Sequence, residues 1–216
     1  MTKRAPRIAV LDYGIGNLRS AEKALVRAGG DAVLTADPLT ISAADAVVLP
    51  GVGNFGRCMQ ALHATGLATE AFGAVRSQRP FLGICVGMQL LFDASDEAPD
   101  DAGLGILQGR VRALPTTGKV PQMQWNQVEI ERPIDLLDGL QQSWMYFVHS
   151  YAAELTDDIV ATCDYGGRVA AVAQRDNVMA TQFHPEKSGR PGQRLLKNFI
   201  EIAAGNITEI VLDSTD

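Results

Sequence analysis

Apolar runs of strand length fall at residues 7–12 (RIAVLD), 31–36 (DAVLTA), 45–50 (DAVVLP) and 80–85 (PFLGIC). Each reads as a buried strand. Between the first two, Leu18, Ala21, Ala24, Leu25 and Ala28 mark one face of a helix, and Gly29-Gly30 stops it. Residues 57–78 and 86–93 carry helical patterns as well. Strand and helix therefore alternate, which predicts a parallel sheet with helices on both faces. The second half changes character. GLGILQGRVRAL, QWNQVEI, WMYFVHSYAAEL, IVATCDY and RVAAVAQRDNVMATQFH read as successive strands, with turns at Gly-Gly and Asp-Asn. Leu195 to Ala203 predicts a closing helix. The expected fold is α/β: an open twisted, largely parallel sheet flanked by helices, with additional antiparallel strands in the C-terminal half. With no repeat, linker or composition break, residues 1–216 are expected to form a single domain, fraying at about 1–6 and 205–216.

Length and composition narrow the class. A chain of 216 residues suffices for one sizeable core. Its net charge of −6 argues against nucleic acid as a main partner, because a phosphate backbone calls for a basic face. Cys58, Cys85 and Cys163 are odd in number, widely spaced and free of any CxxC. They suggest neither a disulfide framework nor a zinc site, and they fit a reducing compartment. The N-terminal MTKRAP is not followed by an apolar segment of signal type, and no run approaches the ~18 residues of a membrane span. A soluble, cytoplasmic chain is expected, with no metal and no cofactor.

Three stretches carry candidate chemistry. In Gly83-Ile84-Cys85-Val86-Gly87 a cysteine follows a strand and opens a helix between small residues. That is the setting of a nucleophile elbow, where the helix N-terminus favours a thiolate. A buried packing cysteine is the alternative there, and it is the reading taken for Cys58 and Cys163. In ATQFHPEKSG (180–189), His184 stands at a strand end, with Glu186 two residues on. In extended chain both side chains point the same way. A carboxylate can then orient a histidine base, although a loop histidine and a solvated glutamate would look the same in isolation. LPGVGNFG (49–56) places three glycines after a strand. It is either an anion-cradling loop or a plain connection. The Gly14/Gly16 pair lacks the third glycine of a dinucleotide fingerprint, because Arg19 stands there, and it reads as a tight turn. All three stretches belong to one sheet edge, where open α/β sheets build their sites.

GICVGMQLLF together with HPE resembles the class I, or triad, glutamine amidotransferases. DYGIGNLRS (12–20) and QFHPEKSG (182–189) narrow the resemblance to the glutaminase subunits of imidazole glycerol phosphate synthase. The resemblance implies a flavodoxin-like sheet and a Cys85, His184, Glu186 triad that hydrolyses L-glutamine through a glutamyl thioester. It further implies an oxyanion hole at Val52 and Gly53, and glutamine held by Gly51, Gln89, Ser150 and Tyr151. The implied partner is a (β/α)8-barrel subunit, docked at Asn17, Trp125, Asn126 and Lys187. That partner would use the ammonia to convert the phosphoribosylated intermediate PRFAR to imidazole glycerol phosphate and AICAR. Pro121-Gln122-Met123-Gln124-Trp125-Asn126 departs from the family's Pro-His-Met-Gly-Trp-Asn at two positions, both expected to bear on docking. His63 is expected at the surface and His149 in a structural role. Trp144 and Phe147 are expected to pack. Lys119 is either interfacial or solvated. The rival readings are a glutaminase serving another acceptor pathway, a free-standing cysteine hydrolase and a non-catalytic subunit.

Overall fold

A computed structural model describes residues 4–16, 18–115 and 118–205. Asn17 and most of the C-terminal tail lie outside the described residues. Five strands form the parallel part of the main sheet: β1 (Arg7–Leu11), β2 (Asp31–Thr35), β3 (Ala46–Gly51), β4 (Phe81–Cys85) and, out of sequence order, Val178–Thr181. The short strands β5 (Ala94–Ser95) and β6 (Arg110–Ala113) follow β4. Next come β7 (Gln122–Gln127), β8 (Glu129–Ile130), β9 (Trp144–His149) and β10 (Tyr151–Ala153). The last are β11 (Ile159–Asp164), β12 (Arg168–Arg175) and β13 (Val178–Thr181).

Among the described residues the main sheet runs β2-β1-β3-β4-β13-β12-β11-β8. It is parallel from β2 to β13 and antiparallel from β13 to β8. The mixed sheet follows from connection length. Turns such as Asp176-Asn177 join β12 to β13 as a hairpin, whereas the earlier strands are joined through helices. The strands β3 and β4 are buried throughout, as continuous apolar runs on a two-sided sheet require.

The helices are α1 (Leu18–Arg27), α2 (Pro38–Ser42), α3 (Phe55–Ala64), α4 (Leu67–Arg76), α5 (Val86–Gln89) and α6 (Gly189–Ala203). They form two groups: α1 packs on α6, while α2 and α3 pack on α4. The helix expected over 57–78 is two helices. Gly66, at φ +76°, breaks it in the left-handed region, and Thr65 Oγ1 donates to the Ala61 carbonyl. An added Cβ at Gly66 would meet nothing within 4 Å, so only backbone strain opposes a side chain there. Gly66→Ala is expected to destabilise by about 1 kcal/mol, read from denaturant unfolding.

Other expectations are also corrected. The helix expected over 86–93 closes after one turn at Gln89. The closing helix starts at Gly189, nearly two turns before Leu195 made its periodicity visible. A five-residue helix at Pro38–Ser42, capped by Asp37, is too short to show a period. Only Arg110–Ala113 of the GLGILQGRVRAL run is a strand. WMYFVHSYAAEL divides between two sheets, with β9 pairing β7 and β10 pairing β6. Near the N-terminus, Arg4 bridges Asp45 at 2.9 Å and the Pro6 carbonyl accepts the Asp31 N–H. No helix among the described residues is long and apolar enough to cross a membrane.

Candidate active site

The sheet order makes β3, β4 and β13 neighbours, with Gly51 opposite Cys85 and Thr181 opposite Ile84. Their C-terminal ends deliver the glycine loop, Cys85 and His184 to one edge. Cys85 adopts φ +56° and ψ −114°, a conformation costly for any residue with a Cβ, and is 3 % exposed. The strain is held by packing, because α5 lies directly on β3. A Cβ on Gly87 would stand 1.8 Å from the Leu49 carbonyl oxygen. Close contact of helix and strand is what turns the Cys85 sulfur out of the sheet.

His184 is 2 % exposed, and its Nδ1 lies 2.8 Å from Glu186 Oε1. The pairing expected from extended chain is real, but its geometry is different. Pro185–Lys187 is a 3-10 turn, and that turn brings the carboxylate back to the ring. His184 Nε2 is buried without a hydrogen-bond partner, free to exchange a proton with a reacting group. Burial works against charge on this ring, but the Cys85 sulfur and the Glu186 carboxylate outweigh it and raise its pKa to about 9.

That shift fixes the sign of a pH effect. A histidine with a raised folded pKa contributes stability that is complete below its unfolded value and lost as pH rises through the folded value. His149 has the opposite shift. Burial lowers it to about 4, against a hydrogen bond to the Tyr151 carbonyl that acts to raise it. Its cost therefore falls below pH 6.5. Unfolding free energy is expected to decline between pH 6.5 and about 9, and Glu186→Gln should flatten that decline in urea titrations across the window.

A cavity of about 390 Å³ opens on these groups, lined by Val52, Gly53, Cys85, Val86, Gln89, Glu97, Pro121, Val148, His149, Ser150, Tyr151, His184 and Lys187. Gly51 is set apart from it, in a small void behind Glu186. The loop orientation is set from below. Tyr13 donates its hydroxyl to the Pro50 carbonyl at 2.8 Å, and the Cys58 thiol donates to the Val52 carbonyl at 3.7 Å. Burial raises the pKa of both groups, which keeps them protonated donors. In a trans peptide the N–H opposes the C=O, so the Gly53 N–H points away from Cys58.

Four further residues complete the site. Glu97 enters the cavity from the loop after β5 and accepts the Phe55 N–H at 2.8 Å. Val86 follows the nucleophile directly, where its N–H opens α5. Gln182 is fully buried, with its Nε2 3.8 Å from Cys85 Sγ. His149 lines the cavity with its ring hydrogen-bonded to the Tyr151 carbonyl. The elbow rule identifies Val86 in retrospect, and His149, expected in a structural role, stands on the cavity wall; nothing in the pattern marked Glu97 or Gln182.

The residues expected to dock a partner divide between two faces. In the β7–β9 ribbon, Met123, Trp125 and Gln127 lie opposite Val148, Tyr146 and Trp144. Side chains alternate along a strand, so these form one face. It is strongly apolar and open, with Met123 62 %, Trp125 47 % and Trp144 55 % exposed. Trp144, expected to pack, is thus corrected, while Phe147 is buried as expected. Gln122, Gln124 and Asn126 belong to the reverse face. Gln122 is fully buried, with its amide against Cys163 Sγ at 3.7 Å, so its departure from the family's histidine lies in the interior. Asn126 donates to the Asp164 carbonyl. Lys187 is exposed at the cavity rim, with no carboxylate at ion-pair distance among the described residues. The Lys119 carbonyl accepts the Tyr165 hydroxyl, and His63 is exposed.

The class-I glutamine amidotransferase family matches residues 9–203. The imidazole glycerol phosphate synthase subunit HisH of Methanothermobacter thermautotrophicus is 49 % identical over 196 residues, covering 90 % of this chain and 98 % of that relative. The chain belongs to the HisH family of class I glutamine amidotransferases. A second HisH, from Syntrophotalea carbinolica, is 48 % identical over 202 residues, covering 89 % of this chain and 98 % of its own. The fold is shared more widely than the family. The structure of PurLQS from Thermotoga maritima superposes with a TM-score of 0.73 at 19 % identity, covering 92 % of this chain and 99 % of that one. The glutaminase domain of Trypanosoma brucei CTPS gives 0.66 at 16 % identity, covering 95 % and 96 %. The HisH fold of this chain is therefore an amidotransferase fold.

Proposed function

We propose that Cys85, His184 and Glu186 hydrolyse L-glutamine, as befits a glutaminase of histidine biosynthesis, and that the ammonia passes to a (β/α)8-barrel synthase subunit. The observation that carries this is the 2.8 Å His184–Glu186 pair, whose histidine lines the same cavity as a cysteine at φ +56°. The Cys85 thiolate attacks the side-chain amide carbon. The N–H groups of Val86 and of the Val52–Gly53 segment receive the negative charge that develops on oxygen. Protonated His184 gives its proton to the departing nitrogen and, now neutral, draws one from the water that cleaves the thioester. Glu186 keeps the ring oriented through both steps. The Glu97 carboxylate supplies the negative charge that a glutamine ammonium needs, and Gln89, Ser150 and Tyr151 present polar groups along the same wall. One single domain carries all of these parts. Three free, buried cysteines suit action in the cytoplasm.

The open face of Met123, Trp125, Tyr146 and Trp144 adjoins the cavity through Pro121 and Val148, and it offers an apolar docking surface for the barrel subunit. Ammonia released there enters the partner without crossing bulk water, where it would be protonated and lost as a nucleophile. The barrel subunit's reaction on PRFAR, giving imidazole glycerol phosphate and AICAR, consumes it.

The test is glutamate release from glutamine by the chain alone, then with the barrel subunit of the same genome and its nucleotide ligand. Strong stimulation is expected. High turnover without the partner would instead identify a free-standing hydrolase. Silence in both states would identify a different partner.

A further inference from the structure

Gln182 sits between β13 and His184, its main-chain N–H bonded to the Ala171 carbonyl at 2.9 Å. Phe183 turns inward against Phe147, with ring centroids 5.5 Å apart. Gln182 and His184 therefore share the other side of the chain. The orientation of the Gln182 amide follows from its neighbours. Gln89 places one terminal atom 2.8 Å from the Tyr151 carbonyl, which can only accept, so that atom is the NH2. The same NH2 lies 3.0 Å from Gln182, so the Gln182 atom facing it is the oxygen. The remaining Gln182 atom, its own NH2, is then the one that faces Cys85 Sγ at 3.8 Å. His149 Nδ1 also meets the Tyr151 carbonyl at 2.8 Å, which closes the network on the rim of the cavity.

We propose that Gln182 is a positioning residue for the nucleophile, donating an amide N–H to the Cys85 sulfur and linking it through Gln89 to the cavity rim at Tyr151. The proposal rests on Cys85 being the nucleophile. Its chemistry is that of a donor to an anion. A fully buried amide with one hydrogen on sulfur favours the thiolate and holds it in line. His184 supplies the opposing charge from one side, and Gln182 supplies a neutral donor from another. A ligand that draws Gln89 toward itself withdraws the donor that fixes the Gln182 oxygen, so binding at the rim is felt at the sulfur.

The experiment is the pH dependence of iodoacetamide alkylation at Cys85 in the whole chain, followed by peptide mapping that separates it from Cys58 and Cys163. Gln182→Met keeps the length and removes the donor, and Gln182→Leu is the second variant; circular dichroism and thermal unfolding establish that each is folded. Loss of the donor is expected to move the alkylation midpoint up by about one pH unit, a roughly tenfold slower reaction on the acid side. A merely structural role for Gln182 would lower the melting temperature and leave the midpoint in place. Either folded variant with an unmoved midpoint overturns the proposal and leaves Cys85 as nucleophile. If Cys85 of the unsubstituted chain reacts no faster than Cys58 and Cys163, the reading of the site itself fails.

Discussion

Cys85→Ala is expected to lower partner-stimulated glutamate release by about 10⁴-fold or more, because no other group near His184 can form the thioester. The same position yields a stability result of opposite sense. At φ +56° and ψ −114° a Cβ is a burden, so Cys85→Gly should unfold about 1 kcal/mol less readily than Cys85→Ala. Glycine ordinarily costs stability through the freedom of the unfolded chain, so a gain here would isolate the strain. Glutamate release and urea unfolding of the two variants check both halves. An alanine variant more stable than the glycine variant by about 1 kcal/mol, the ordinary cost of glycine, would show that the elbow is unstrained.

Gly87→Ala has the second large effect, and it acts on fold and activity together. The new Cβ would lie 1.8 Å from the Leu49 oxygen and 2.8 Å from its carbonyl carbon, both backbone atoms of a fully buried strand. Nothing flexible can give way, so α5 must lift from β3. The expected loss is about 3 kcal/mol, or on the order of 10 °C in melting temperature for a domain of this size. Lifting α5 also separates the Val86 N–H from the Val52–Gly53 loop, and a misplacement near 1 Å costs about 10²-fold in turnover. Thermal unfolding and glutamate release of the variant, compared with Gly66→Ala, discriminate a clash from simple strain. A Gly87→Ala chain as active as the parent would mean that α5 does not set the nucleophile.

Sequence legibility followed physical cause. The strands β1, β3 and β4 were readable because burial on both faces makes them continuously apolar. Cys85 was readable because the elbow demands small neighbours, and His184 with Glu186 because their motif is local. What escaped was decided by contacts between distant residues. Glu97 looks like any loop carboxylate until Phe55 N–H and the cavity are in place. Gln182 looks like any strand-end amide until β13 is placed beside β4. Trp144 was expected to pack because large aromatic residues usually do, yet the ribbon turns it outward with Trp125. The turn at Pro185–Lys187 mattered for mechanism but not for the pattern, since both extended chain and a turn bring residues 184 and 186 together.

The order β4-β13-β12 has a consequence for biogenesis. When β4 emerges from the ribosome, its right-hand neighbour β13 has yet to be made; at ribosomal rates that is a wait on the order of ten seconds. During that interval the nucleophile strand is an unpaired apolar sheet edge, open to pairing with another nascent chain. The cysteine meanwhile lacks His184. The proposed base, His184, follows directly on β13, the last strand among the described residues, so a chain ended before it lacks the base but is sticky. Quality control of this enzyme therefore faces aggregation of fragments, not stray hydrolysis of glutamine.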